Sequence, residues 1–200
     1  MIETLLTYDR ELFLWINTTG TLFWDPIWLV ITNKWVSIPL YAALLWLLKK
    51  HYSWRELGQA VFVVSLMILV TDQLANLFKY VLIQRPRPCR EPLLEEQMRM
   101  VAAYCGRYGY FSAHAASAAA LARFFIKWIK RHLGPGSVSM TGVNLWTWGL
   151  ILWAFALGYS RIYLGVHYPG DVLTGWGVGF LVGSLAYYGF NRVVSATRTR

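Results

Sequence analysis

Apolar residues run along this chain in long blocks separated by short polar clusters, the pattern of helices packed in a membrane. Residues 54–84, 111–129, 143–159 and 169–190 each hold a mostly apolar stretch, close to the ~20 residues an α-helix needs to cross the hydrocarbon of a bilayer. A fifth block, residues 26–48, is interrupted by Asn33-Lys34. It predicts either one tilted span or a short helix followed by a crossing that begins near Trp35. Residues 2–17 read differently, because Asp9-Arg10-Glu11 sits at their centre. They are expected to form an amphipathic helix in the interface, with Leu5, Leu6, Leu12, Phe13 and Ile16 turned toward lipid. The basic start and small-residue cleavage site of a signal peptide are missing from this stretch. The pattern as a whole predicts an all-α integral membrane bundle of five to six helices. It forms one domain over residues 1–200, with an interfacial segment 1–24, a helical core 25–190 and a cytoplasmic basic tail 191–200.

Composition agrees. With 56% hydrophobic, 16% aromatic and 14% charged residues, the chain would be an odd soluble domain and is an ordinary helical membrane protein. Its charge is segregated. Lys49, Lys50 and Arg55 fall in one loop, Lys127, Lys130 and Arg131 in another, and Arg192, Arg198 and Arg200 in the tail. These segments alternate along the chain, so they share a face, and the positive-inside rule makes that face cytoplasmic. The opposite loop holds Arg85, Arg87, Arg90, Arg99 and Arg107 but also Glu91, Glu95 and Glu96. A net charge of +9 then reflects cytoplasmic lysines and arginines and an anion pocket rather than nucleic acid. No basic helix interleaves aromatics for stacking bases. Trp35, Trp54, Trp128, Trp146 and Tyr188 lie near span ends, as interfacial anchors would.

Three polar clusters fall at the outer ends of apolar segments: Lys79 with Arg85-Pro86-Arg87-Pro88, then Phe111-Ser112-Ala113-His114, then the run Ser160 to Asp171. The last places Arg161, His167 and Asp171 around a sharp Pro169-Gly170 turn. A neutral imidazole is a nucleophile near pH 7, and a carboxylate on its other ring nitrogen fixes the tautomer and stabilises the developing charge. Arg161 offers a planar fork of donors that suits phosphate oxygens. Asp72, Asn76 and Lys79 share one helix face. Lys79, at the outer end, reads as a phosphate ligand and Asp72 as structural; Arg123, deep in its span, either snorkels or pairs within the bundle. Gly175, Gly179 and Gly183 repeat every four residues, and the stretch after His114 is nearly all alanine. Small residues let helices approach closely, so these two helices are expected to pack and bring His114 to His167.

These clusters resemble the motifs of the type 2 phosphatidic acid phosphatase family, membrane lipid phosphatases that share a core with the vanadium haloperoxidases. The resemblance covers roughly residues 25–190. Ser160, Arg161, His167 and Asp171 match the third motif without a gap. Ser112 and His114 match the second, which loses its Pro and Gly to Phe111 and Ala113. The first motif is Lys, six residues, then Arg-Pro. Lys79 is followed by five residues before Arg85-Pro86 and by seven before Arg87-Pro88. Arg87 is the favoured match, with Arg85 as its alternative.

What the resemblance implies is hydrolysis of a phosphomonoester or diphosphate on a membrane lipid through a phosphohistidine. His167 would be the nucleophile, Asp171 its orienting partner and His114 the acid and then base; Lys79, Arg87, Ser112 and Arg161 would hold the phosphoryl oxygens. No cofactor and no metal is expected. The partners would be the bilayer and a lipid phosphate such as undecaprenyl diphosphate, phosphatidylglycerol phosphate, phosphatidate or a lipid A phosphate, met at the outer face of a bacterial inner membrane. A lipid phosphotransferase of the same family is the neighbouring alternative. A small transporter using Asp72, Lys79 and Arg123 is the more distant one, and it lacks the internal repeat expected of it. Oligomeric state is left open. Cys89 and Cys105, the only cysteines, fall in the outer loop, where an oxidising compartment permits a disulfide.

Overall fold

A computed structural model describes residues 2–133 and 140–198. Among the described residues are seven α-helices: α1 (Ile2–Thr18), α2 (Asp25–Thr32), α3 (Ile38–His51), α4 (Trp54–Leu77), α5 (Ala113–His132), α6 (Met140–Tyr163) and α7 (Pro169–Arg198). The only bridge between extended segments among these residues pairs Pro86 with Tyr108. Helix α7 continues through residues expected to form a tail. Arg200 lies outside the described residues.

Caps define several boundaries. Ser53 and Glu56 form a capping box at the start of α4, with the Ser53 N–H donating to Glu56 Oε2 at 2.8 Å. Ser112 caps α5, and Pro169 opens α7 at a position where its missing N–H leaves no bond unmade. Asn33 ends α2, and its side chain caps the 3₁₀ turn Lys34–Ser37 that leads into α3. The chain bends there by 63°, so the block over residues 26–48 is a broken span or re-entrant loop rather than a straight crossing.

The segments Trp54–Leu82 and Pro169–Thr197 are long and apolar enough to cross a membrane unaided, and the bent pair around Asn33 adds a third candidate. Phe62, Leu69, Leu181 and Leu185 are exposed on them and face lipid. Helix α5 has the length but not the apolarity. The reason is visible for α5, which α4, α6 and α7 surround and which buries its alanines with Phe124, Trp128 and Ile129. A helix covered by protein needs no lipid-facing surface, so it can carry Arg123. That residue donates from Nε to Ser184 Oγ at 3.0 Å and lies over the Phe180 ring.

Helix α5 packs most extensively on α7, and the glycine repeat explains how. A Cβ on Gly175 would stand 2.6 Å from the Ser112 carbonyl, while one on Gly179 or Gly183 would strike the carbonyl of Ala116 or Ala120. Each glycine thus seats one turn of α5 directly against the α7 backbone.

Two expectations are corrected. Helix α1 does not turn Phe13 and Ile16 to lipid. Phe13 is fully buried against Tyr168 at a ring separation of 5.5 Å, and Ile16 packs on the same cluster, leaving Leu5, Leu6 and Leu12 outside. The far end of α1 is fastened by Asn17, which donates to the Arg99 and Tyr163 carbonyls, each at 2.9 Å. Trp128 is likewise no interfacial anchor. It is buried, stacked on His132 and bonded to the Tyr52 hydroxyl, whereas Trp35, Trp54 and Tyr188 are exposed.

Candidate active site

The site is built where four segments converge at one end of the bundle. The first contributes Lys79, which is buried within a π-helical turn, Phe78–Leu82, that continues α4. A π turn accommodates one residue more than α-helical winding does. This turn lies within the seven residues that separate Lys79 from Arg87, where the motif has six. Beyond it, the Arg85–Pro88 run pairs antiparallel with residues 107–109. Arg87 N–H donates to the Arg107 carbonyl at 3.3 Å and Gly109 N–H to the Arg85 carbonyl at 2.9 Å. This pairing sets Gly109 beside the catalytic candidates: a Cβ there would lie 3.2 Å from Asp171 Oδ2 and 3.6 Å from His167 Nδ1.

The two arginines differ in surroundings. Arg85 is engaged by carboxylates, with Nη1 donating to Asp9 Oδ2 at 2.7 Å and to Asp171 Oδ1 at 3.3 Å while its guanidinium covers the Tyr168 ring. Its Nη2 is buried without an acceptor among the described residues. Arg87 donates from Nε to the Tyr108 carbonyl at 2.9 Å, has no carboxylate within ion-pair distance among the described residues, and acts electrostatically on the His167 ring.

The second segment is the start of α5. Ser112 is fully buried and its N–H donates to the Asp171 carbonyl at 3.0 Å, joining α5 to α7 at the level of the site. His114 follows on the first turn, where unpaired backbone N–H groups favour an anion. Ala113, in place of the motif's Gly, borders a cavity and packs on the cluster of Ala75, Phe111 and Ala116, and Phe111, in place of its Pro, is buried against Phe78. Third is Arg161 at the end of α6, held by a 2.7 Å hydrogen bond from Nη1 to Thr32 Oγ1 and with Nε buried lacking an acceptor among the described residues.

The fourth segment is the turn from Leu164 to Asp171. Gly165 has φ of +82°, and a Cβ on it would meet Met98 and the Arg99 carbonyl, so the outer loop lies directly on this turn. Asp171, with no exposed surface, has its Oδ2 3.4 Å from His167 Nδ1 and accepts the Tyr168 N–H at 3.1 Å. The Gly109 backbone lies on the same side of the ring, where a Cβ on Gly109 would stand 3.6 Å from Nδ1. Burial, then the charges of Arg87, Arg161 and Lys79, hold the His167 pKa well below its usual value, so the ring is neutral at pH 7. The same three cations and His167 act on His114. The structure thus gathers Lys79, Arg87, His114, Arg161, His167 and Asp171 within electrostatic reach of one another, with Ser112 joined to Asp171 by its backbone N–H.

Cys89 and Cys105 are paired, with Cα atoms 6.6 Å apart, within the range such bonds span. Their loop packs on Tyr163, Leu164 and Val166. Beside His114 opens a cavity of about 410 Å³ whose lining includes Thr32, Lys34, Asp72 and Ser117 among apolar side chains from α3 to α6. Sequence reasoning missed Asp9, Thr32 and Gly109. Asp9 alone carried a signal, a charge at the centre of an apolar segment, and that signal pointed to an interfacial helix.

The PAP2 superfamily profile matches residues 60–195. The chain belongs to this family. It is an integral membrane hydrolase of lipid phosphates, like the other PAP2 proteins it resembles. The lipid A 4'-phosphatase of Bacteroides thetaiotaomicron is 32% identical over 94% of this chain and 79% of its own length. That of Porphyromonas gingivalis is 29% identical over 93% of this chain and 74% of its own. Among solved structures, a transmembrane PAP2 type phosphatidylglycerolphosphate phosphatase from Bacillus subtilis superposes with a TM-score of 0.68 at 21% identity, covering 96% of this chain and 88% of that one. That likeness is one of fold.

Proposed function

We propose that this PAP2 protein removes phosphate from a phosphorylated glycolipid of the lipid A type, by way of a phosphohistidine, at the outer face of a bacterial inner membrane. The carrying observation is the environment of His167. Its Nδ1 faces Asp171 Oδ2 at 3.4 Å, which leaves Nε2 as the lone-pair nitrogen, and the charges of three cations act on the ring. In the first step Nε2 attacks phosphorus as the bond to the lipid oxygen breaks, and His114 protonates that oxygen. In the second, His114 takes a proton from water, which displaces His167 and releases inorganic phosphate. Lys79, Arg87, Arg161, Ser112 and the first-turn amides of α5 hold the equatorial oxygens, where negative charge is greatest in the transition state.

Substrate class rests on two supports. The relatives described above are lipid A 4'-phosphatases similar over nearly the whole chain, and the cavity beside His114 mixes polar and apolar walls, as a leaving group made of a sugar with acyl chains requires. Orientation rests on the basic ends of α3, α5 and α7. They meet away from the site, where Tyr52 bonds His132 and Gln59 bonds Thr197, and the positive-inside rule assigns that end to the cytoplasm.

The test is phosphate release by purified protein from bisphosphorylated lipid A, undecaprenyl diphosphate, phosphatidylglycerol phosphate and phosphatidate. Lipid A is expected to give the highest kcat/KM, with loss of the 4'-phosphate. Activity is expected to survive EDTA, to be inhibited by vanadate and to vanish in His167→Ala. Preference for a diphosphate overturns the substrate class, and an active His167→Ala overturns the mechanism.

A further inference from the structure

Helix α1 reaches the reacting turn with a carboxylate. Asp9 Oδ1 accepts the Gly170 N–H at 2.7 Å, while its Oδ2 takes the 2.7 Å bond from Arg85 Nη1, the same nitrogen that lies 3.3 Å from Asp171 Oδ1. Gly170 immediately precedes Asp171, so a closed ring runs Asp9, Arg85, Asp171, Gly170 and back to Asp9. Only 14% of either the Asp9 or the Arg85 side chain is exposed, and none of Asp171. The contact is tight, since a Cβ on Gly170 would come 2.8 Å from Asp9 Oδ2. Arg85 lies flat on Tyr168, whose ring rests on Phe13 of the same helix α1.

We infer that Asp9 is a positioning residue for the phosphatase reaction: through Arg85 and the Gly170 amide it fixes the Asp171 carboxylate, and hence His167, against the phosphate. The physical reason is directional. Asp171 faces His167 with Oδ2, and rotation of its carboxylate is resisted by what holds Oδ1. Arg85 alone is a long side chain with many rotamers, and a second carboxylate on the same Nη1 restricts where that nitrogen can sit. Asp9 touches no atom of the phosphate pocket, so its contribution lies in kcat rather than in substrate binding. Helix α1 is on this account part of the active site rather than a membrane anchor.

This inference rests on His167 being the nucleophile. The experiment compares wild type, Asp9→Asn, Asp9→Ser, Arg85→Ala, the Asp9→Asn/Arg85→Ala double variant and His167→Ala, with Glu11→Ala as an exposed control on the same helix. Phosphate release from a short-chain lipid phosphate is measured together with thermal unfolding in detergent. Asp9→Asn keeps an acceptor for Gly170 but removes the charge facing Arg85. Its kcat is expected to fall about 10- to 100-fold, the range a displacement near 1 Å produces, with KM within about 3-fold and Glu11→Ala unchanged. The double variant is expected to be no slower than Arg85→Ala, because both act through one path. Wild-type kcat in Asp9→Asn, a loss carried by KM, or multiplying losses in the double variant overturns the inference. Failure of both Asp9 variants to fold also overturns it, since Asp9 would then serve stability alone. An active His167→Ala instead removes the mechanism beneath it.

Discussion

Replacing Gly179 by alanine tests whether the α5–α7 seam sets the geometry of the site. The added Cβ would stand 2.9 Å from both the Ala116 carbonyl carbon and the Ala119 Cβ, and nearer still to the Ala116 oxygen. Carbon atoms rest about 3.5–4.0 Å apart, so the shortfall is roughly 0.6–1.1 Å. Neither neighbour is the free end of a flexible side chain, and the helices themselves must part. Overfilling a packed seam typically costs about 1–3 kcal/mol. The catalytic loss is expected to be separable from it. Helix α5 carries Ser112 and His114, α7 carries Asp171, and a displacement near 1 Å between reacting groups costs about 100-fold in rate. Gly177 supplies the control, because a Cβ there meets nothing within 4 Å. Purified Gly179→Ala is expected to unfold at lower temperature than wild type and to lose about 10- to 100-fold in kcat/KM, with Gly177→Ala near wild type in both. Equal behaviour of the two variants would refute the reasoning.

The two arginines should fail differently. Arg87→Ala is expected to lose about 3 to 4 kcal/mol of transition-state stabilisation in kcat/KM with unfolding unchanged. Arg85→Ala leaves the buried Asp9 and Asp171 carboxylates uncompensated and should lower stability by about 3–5 kcal/mol, a contrast read by kinetics and thermal unfolding of the same preparations. The bond between Cys89 and Cys105, separated by 16 positions, is expected to contribute about 3 kcal/mol by restricting the unfolded chain. Alkylation before reduction should add no mass, reductant should lower the unfolding temperature, and two alkylated cysteines in unreduced protein would exclude the bond. Stability should also respond to pH through His167, whose folded pKa is depressed. The unfolded chain binds a proton below about pH 6.5 that the folded chain refuses, so stability is full above that value and declines as pH falls through it, by up to about 1.4 kcal/mol per pH unit. His167→Gln should flatten that slope, and an unchanged slope would assign it to other groups.

Legibility followed distance along the chain. His167 and Asp171 lie four positions apart, on a turn that Pro169 and Gly170 announce, so their pairing could be read from spacing alone. The small residues of α5 and α7 announced close helix packing, and the structure decides that they pack on each other. The Lys79–Arg87 spacing was legible only as an anomaly, and the π-helical turn that lies within it shows only in the backbone. Trp128 and Phe13 were misplaced for a common reason: lipid and protein interior are both apolar, and amphipathicity cannot tell which of them an apolar face will meet.

What the sequence determined by itself is therefore the membrane class, the helical architecture, the family and the candidate residues for a phosphate site, all of which rest on local pattern. What tertiary structure alone decided is the role of the polar residues outside the motifs. Asp9 lies 161 positions from the Gly170 amide it accepts and 76 from the Arg85 that pairs with it. In sequence it is one charge in an acidic and basic triplet, indistinguishable from a solvated face. Only the burial of α1 against Tyr168 removes the water that would otherwise satisfy Asp9, and a carboxylate without water must find its hydrogen bonds in protein.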